Sequence, residues 1–125
     1  MSYGFNDDKS KVQIYTKGDF AVVKGTANNV LSDTTKDIYI SQNQLSYCGI
    51  DDIKNYTVIS VMCGTGTNDN PTRLSTSQYI DNDLGVFPCA DIIPSDLLGP
   101  LRVGVFNHDV TTRNIIYRVV LMKIK

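Results

Sequence analysis

The chain has 125 residues, a net charge of −1 and an apolar share of 42%, a balance that fits one soluble globular domain and excludes a disordered or membrane-embedded chain. Its 12 basic and 13 acidic residues are spread without long runs, so the basic field that draws nucleic acid or an anionic membrane surface is missing. No apolar run approaches the roughly 20 residues that span a bilayer; we expect no nucleic-acid partner and no membrane insertion.

Met1-Ser2-Tyr3-Gly4-Phe5-Asn6-Asp7-Asp8 is polar and acidic, the reverse of a secretion signal. We therefore expect synthesis in a cytoplasm, with residues 1–10 forming an N-terminal arm on a single domain over 1–125. Cys48, Cys63 and Cys89 are odd in number and widely spaced, which points to reduced thiols and no intrachain disulfide. Val, Ile, Thr and Tyr recur while Trp and Glu are absent, a composition suited to a pleated sheet.

In chain order, Lys11 to Thr16 is a first strand candidate, closed by the Lys17-Gly18-Asp19 turn. Phe20 to Lys24 follows, ended by Gly25, and Lys36 to Ile40 is a third strand. Ser41 to Ile53 is ambiguous between a helical turn and a loop. Tyr56 to Cys63 reads as an interior strand, because apolar and small residues occupy both faces. Gly64 to Pro71 is rich in turn formers and reads as a surface loop, and Ser75 to Ile80 as another strand. Gly85-Val86-Phe87 leads to Pro88. Pro94 to Leu98, between Ile93 and Gly99, carries the signals of one short helical turn. Leu101 to Phe106 and Ile115 to Ile124 are the last strands, joined by a polar stretch from Asn107 to Asn114 able to close a hairpin. Seven or eight short strands at such spacing predict an all-β fold, a single β-sandwich.

Catalytic chemistry finds little to use. His108 is the sole histidine, and no Ser or Cys stands in a nucleophile-elbow context. Three scattered cysteines and one histidine lack the paired spacing of a zinc site. Gly64-Thr65-Gly66 follows a strand but leads into Asn-Asp-Asn-Pro, so no helix stands behind it to hold a phosphate. The clusters Asp51-Asp52, Asn68-Asp69-Asn70 and Asp81-Asn82-Asp83 lack the central Gly and closing Glu of a calcium loop and read as turn formers. We expect no enzyme and assign no catalytic, cofactor or metal residue.

Asp91 to Asp109, with its I-P-x-x-L-L turn at Ile93–Leu98 and its V-G-V-F strand at Val103–Phe106, resembles a segment of small β-sandwich domains in phage and prophage tail proteins of Gram-positive hosts. Thr112 to Val119 is similar to the T-x-x-x-x-x-R-V strand that closes that segment, and Tyr3 to Val12 resembles the N-termini of short virion proteins. Asn107 stands where the family has a strand-ending Gly, and Pro100 directly precedes the strand. The resemblance implies an immunoglobulin-like or jelly-roll-like sandwich in a tail, baseplate or fibre protein that acts by protein–protein assembly in the virion. The alternatives are a capsid or head-decoration protein and a carbohydrate-binding module for a cell-surface glycan, the last favoured if Tyr3, Tyr47 and Tyr79 are exposed. None of these implies a cofactor.

The last strand adds a physical argument. Ile115, Tyr117, Val119 and Leu121 share one face, and Ile116, Val120, Met122 and Ile124 share the other with Arg118. One face can cover the core; the second needs a cover of its own. We expect Ile116, Val120, Met122 and Ile124 to form an assembly interface of a symmetric homo-oligomer, a trimer or a multiple of one.

Overall fold

The computed structural model describes residues 12–75 and 86–125. Strands β1 (Gln13–Lys17), β2 (Phe20–Val30), β3 (Thr34–Ile40), β4 (Tyr56–Gly66), β5 (Pro71–Ser75), β6 (Val86–Ile92), β7 (Leu101–Asn107) and β8 (Arg113–Lys123) form two antiparallel sheets. The larger has the order β1-β2-β8-β4-β5 and the smaller β3-β7-β6. Some 62% of the described residues lie in strands, far above the ~20–25% of an average domain, so the all-β expectation holds.

Alternation makes the sandwich. Along β2 every second residue from Ala21 to Ala27 is buried, and the buried set of β8 includes Ile115, Tyr117, Val119 and Leu121. These meet Ile40, Leu101, Val103 and Val105 of the smaller sheet in one core. Each such aliphatic side chain contributes about 1.5–3 kcal/mol on full burial. Tyr117 is the largest member, and it fits because its register partner on β2 is Gly25. A Cβ at Gly25 would lie 2.1 Å from the tyrosine hydroxyl.

The pairs β2–β8 and β3–β7 are nested along the chain, one in each sheet, which is the winding of a jelly roll. In an immunoglobulin domain the last two strands share a sheet; here β7 and β8 lie in different sheets. The 108–112 stretch therefore closes no hairpin. It arches from one sheet to the other, because β7 and β8 each find partners elsewhere.

Two further expectations are corrected. The sole α-helix among the described residues, α1 (Gln42–Tyr47), lies between β3 and β4 and is started by a capping box in which Ser41 and Gln44 satisfy each other's backbone amides. The 94–98 segment is a turn instead. Ile93 N–H donates to Pro100 O at 2.7 Å and closes the loop at its base, while Leu97 and Leu98 point to solvent and give a helix no apolar face to bury. Second, β4 and β5 extend into the 64–71 region and leave a loop of only Thr67–Asn70. Gly64 permits this, since a Cβ there would lie 1.6 Å from the Arg73 carbonyl oxygen. Pro88 sits inside β6, which among the described residues pairs with β7 alone, and proline is tolerated on such an edge strand where its missing N–H would face away from the ladder. The expected 75–80 strand reaches the structure only as Ser75 at the end of β5. Its remainder, the 1–10 arm, Tyr3, Tyr79 and Asp81-Asn82-Asp83 lie outside the described residues.

Candidate assembly surface

The outer face of the five-stranded sheet is fixed by pairing register. Its rows run Lys17–Phe20–Met122–Thr57, then Tyr15–Val22–Val120–Ser60, then Gln13–Lys24–Arg118–Met62. Beyond them Thr26, Ile116 and Gly64 align. A register shift between Val58 and Ser60 displaces Ile59 from the ladder and leaves it 48% exposed. Phe20 is 50% exposed, and Val22, Val120 and Met122 are half-buried. One end of this face therefore carries a contiguous apolar strip that its own strands do not cover.

The four residues expected at the interface separate into three kinds. Val120 and Met122 lie in the strip. Ile124 follows the end of β8 and is 55% exposed, its backbone N–H tied to Asn55 O at 2.7 Å. Ile116 leaves the set because it is fully buried. The Thr67–Asn70 loop folds back near it: Asn68 Nδ2 donates to Gly25 O at 3.1 Å and Arg118 reaches Asn68 O at 3.5 Å. Phe20, Val22 and Ile59 were not singled out from sequence. The alternation of Phe20-Ala21-Val22-Val23 contains the signal for two of them, whereas the bulge that exposes Ile59 leaves none.

The outer face of the smaller sheet differs in kind. Its rows are Thr35–Phe106–Phe87, Asp37–Gly104–Cys89 and Tyr39–Arg102–Asp91. Phe87, Phe106 and His108 are near-parallel, with ring centroids 5.7, 5.7 and 6.4 Å apart. Three nearly equal separations describe a triangle of rings and not a column. Arg102 is paired with Asp91, whose hydrogen bond is the main cause raising the guanidinium pKa further.

The arches above the sandwich are dense in polar contacts. Asn107 is fully buried; its Nδ2 donates to Val30 O and to Thr111 O, each at 2.9 Å, and its Oδ1 accepts from Asp109 N at 2.9 Å. The Asp109 carboxylate accepts from Arg113 and from Val110 N. Arg113 first, and then that amide, hold its carboxyl below the usual carboxylate range. Asp33, at φ 60°, donates its N–H to Asn107 O at 2.7 Å and accepts His108 Nδ1 at 3.0 Å.

His108 is thus an exposed ring oriented by Asp33 and by two phenylalanines, with no Ser or Cys hydrogen-bonded to it among the described residues. Among those residues no three His, Cys, Asp or Glu side chains group as metal ligands. Asp52 caps the 3-10 turn before β4 by accepting Lys54 N at 3.0 Å, which accounts structurally for one member of the Asp51-Asp52 cluster. Cys48 and Cys63 are buried and Cys89 is exposed, all three as free thiols; burial pushes Cys63 up to about 12. A hollow of about 370 Å³ between α1 and the 94–100 turn is lined by groups such as Gln42, Lys54, Asp96 and Leu97, and holds no histidine or cysteine. No described helix is long and apolar enough to cross a membrane.

Comparison of the chain with protein-family models, with curated proteins and with solved structures gives no match.

Proposed function

We propose that this chain is a non-enzymatic structural protein of a phage or prophage virion, a tail, baseplate or fibre component that acts by protein–protein assembly. The observation that carries the assembly part is the strip of Phe20, Val22, Ile59, Val120 and Met122 on the outer face of the five-stranded sheet. Contiguous apolar surface on a sheet face marks an interaction site, and aromatic residues, Met and Arg are the types enriched in interface cores. The virion part rests on the likeness of Asp91–Asp109 and Thr112–Val119 to tail-protein segments. Its partners are other virion proteins and further copies of the chain, and its place is the virion, assembled in the host cytoplasm.

Sedimentation velocity over a micromolar concentration series tests the assembly part. The expected result is a mass that is a multiple of the 13.9 kDa chain; a monomer throughout overturns it. Genes for other tail proteins beside the coding gene support the tail assignment, and head genes there favour capsid decoration instead. The sugar-binding alternative retains one specific observation, Tyr47 at 73% exposure, and predicts a hit on a glycan array.

A further inference from the structure

We infer that copies of this chain associate head to tail, the outer face of one copy's five-stranded sheet docking on the outer face of the next copy's three-stranded sheet. The inference rests on the assembly reading and goes beyond it by naming the surface that occupies the strip.

The two outer faces differ in charge. On β2 and β8, Lys24 stands directly opposite Arg118, and like charges facing each other across an antiparallel pair repel. The Lys24 ammonium rests over the Tyr15 ring, 4.9 Å from its centroid. Among the described residues Arg118 makes the 3.5 Å contact to Asn68 O, and its buried Nε has no partner there. Lys17 adds a third cation at the end of β1. Two carboxylates border this face, Asp19 in the β1–β2 turn and Asp69 in the β4–β5 loop, the second near enough to Lys24 to favour its charge and offset part of the repulsion from Arg118; none stands in the rows between.

The other face carries the opposite sign. Asp37 is exposed in its middle row beside Gly104, Asp33 stands at the His108 end, and Asp91 at the far end is engaged by Arg102, the single cation in its rows.

A two-fold axis passing near the Lys24–Arg118 row would set those cations against their own copies, a juxtaposition that interfaces avoid. Pairing the two different faces sets Lys24 and Arg118 against Asp37, and Val120 and Met122 against the Phe87 and Phe106 rings. An interface between two different patches of the same chain is heterologous, and repeating it builds a ring if the rotation closes and a filament if it does not.

Sedimentation velocity on four samples tests this: wild type, Lys24→Asp, Asp37→Lys, and an equimolar mixture of the two variants, each checked for the β-sheet circular dichroism of the wild type. Each variant alone should sediment as the 13.9 kDa monomer where the wild type is assembled. The mixture should associate again, as an alternating pair if the wild-type ring has an odd number of copies and to the wild-type mass if the number is even, since each variant then offers the sign that the other lacks. Raising salt to about 1 M, where the screening length falls to about 3 Å, should weaken the wild-type assembly at least tenfold. If Lys24→Asp does not fold, Lys24→Glu takes its place. An assembled wild type whose mass Asp37→Lys leaves unchanged overturns the head-to-tail contact, as does a mixture that stays monomeric. A wild type that is itself monomeric overturns the underlying assembly reading first, so the two failures are distinguishable.

Discussion

The arches above the sandwich and the outer face of the five-stranded sheet treat water in opposite ways. At the arches, polar groups turn on one another: Asn107 serves Val30, Thr111 and Asp109, while Asp109 serves Val110 and Arg113. That end is closed by contacts within the chain. On the sheet face, Phe20 and Ile59 are half exposed, and the Val22–Val120 row stands between the Phe20–Met122 row and the Lys24–Arg118 pair of cations. The arches hold the fold together. Away from Ile116 and the loop that folds back near it, the side chains of the apolar strip are only partly covered by their own chain and so are open to a second surface.

Substitutions should break this comparison unequally. The largest effect belongs to the inner side of the same strands, where Gly25→Ala would drive a methyl into the buried Tyr117 hydroxyl. Overpacking of this kind costs about 3 kcal/mol, and urea denaturation should show it as a lower midpoint with an unchanged slope. Tyr117→Ala in the same chain should make the two losses clearly non-additive, because they share one space.

Next comes Asn107→Ala. It leaves two carbonyls and one amide at the arches without their partner, a loss of about 2 kcal/mol. Asn107 also shows where the sequence was legible and where it was not. The polar run from Asn107 to Asn114 announced a connection, but nothing in it told a hairpin from an arch. That depends on β7 pairing with β3 and β8 with β2 and β4, partners 52 to 102 residues upstream, which no local pattern records. The two-faced alternation of β8 was readable, and Ile115, Tyr117, Val119 and Leu121 do form the core side. The burial of Ile116 was not, because it depends on where a distant strand and loop pass. The Ser41-x-x-Gln44 capping box was a readable helix start that the Gly49 and Asp residues downstream obscured. That Pro88 could stand inside a strand was not readable, because the edge position that tolerates it is a property of the whole sheet.

A smaller effect, and a pH-dependent one, is expected at Asp109. Arg113 and the Val110 amide depress its folded pKa, so the carboxylate adds stability above the ordinary aspartate value of about 3.9. That contribution fades as pH falls through the lower folded value, because the unfolded state then binds the proton first. Asp109→Asn should lower the melting temperature at pH 6, and the gap to wild type should close as pH approaches 2. A gap independent of pH would remove the charge from the account of this end.

The smallest effect on stability is expected at Met122→Asp, on the half-buried outer side of β8 and away from the core, where about 0.5 kcal/mol is typical of surface changes. That substitution gives the most direct measurement of the central claim, that the outer face of the five-stranded sheet serves assembly and not folding. Wild type and Met122→Asp are compared at equal micromolar concentration for melting temperature, measured where both are dissociated, and for sedimentation mass. The account predicts nearly equal melting temperatures and a fall in mass to the 13.9 kDa chain. An unchanged mass, or a large loss of melting temperature in the dissociated protein, would contradict it.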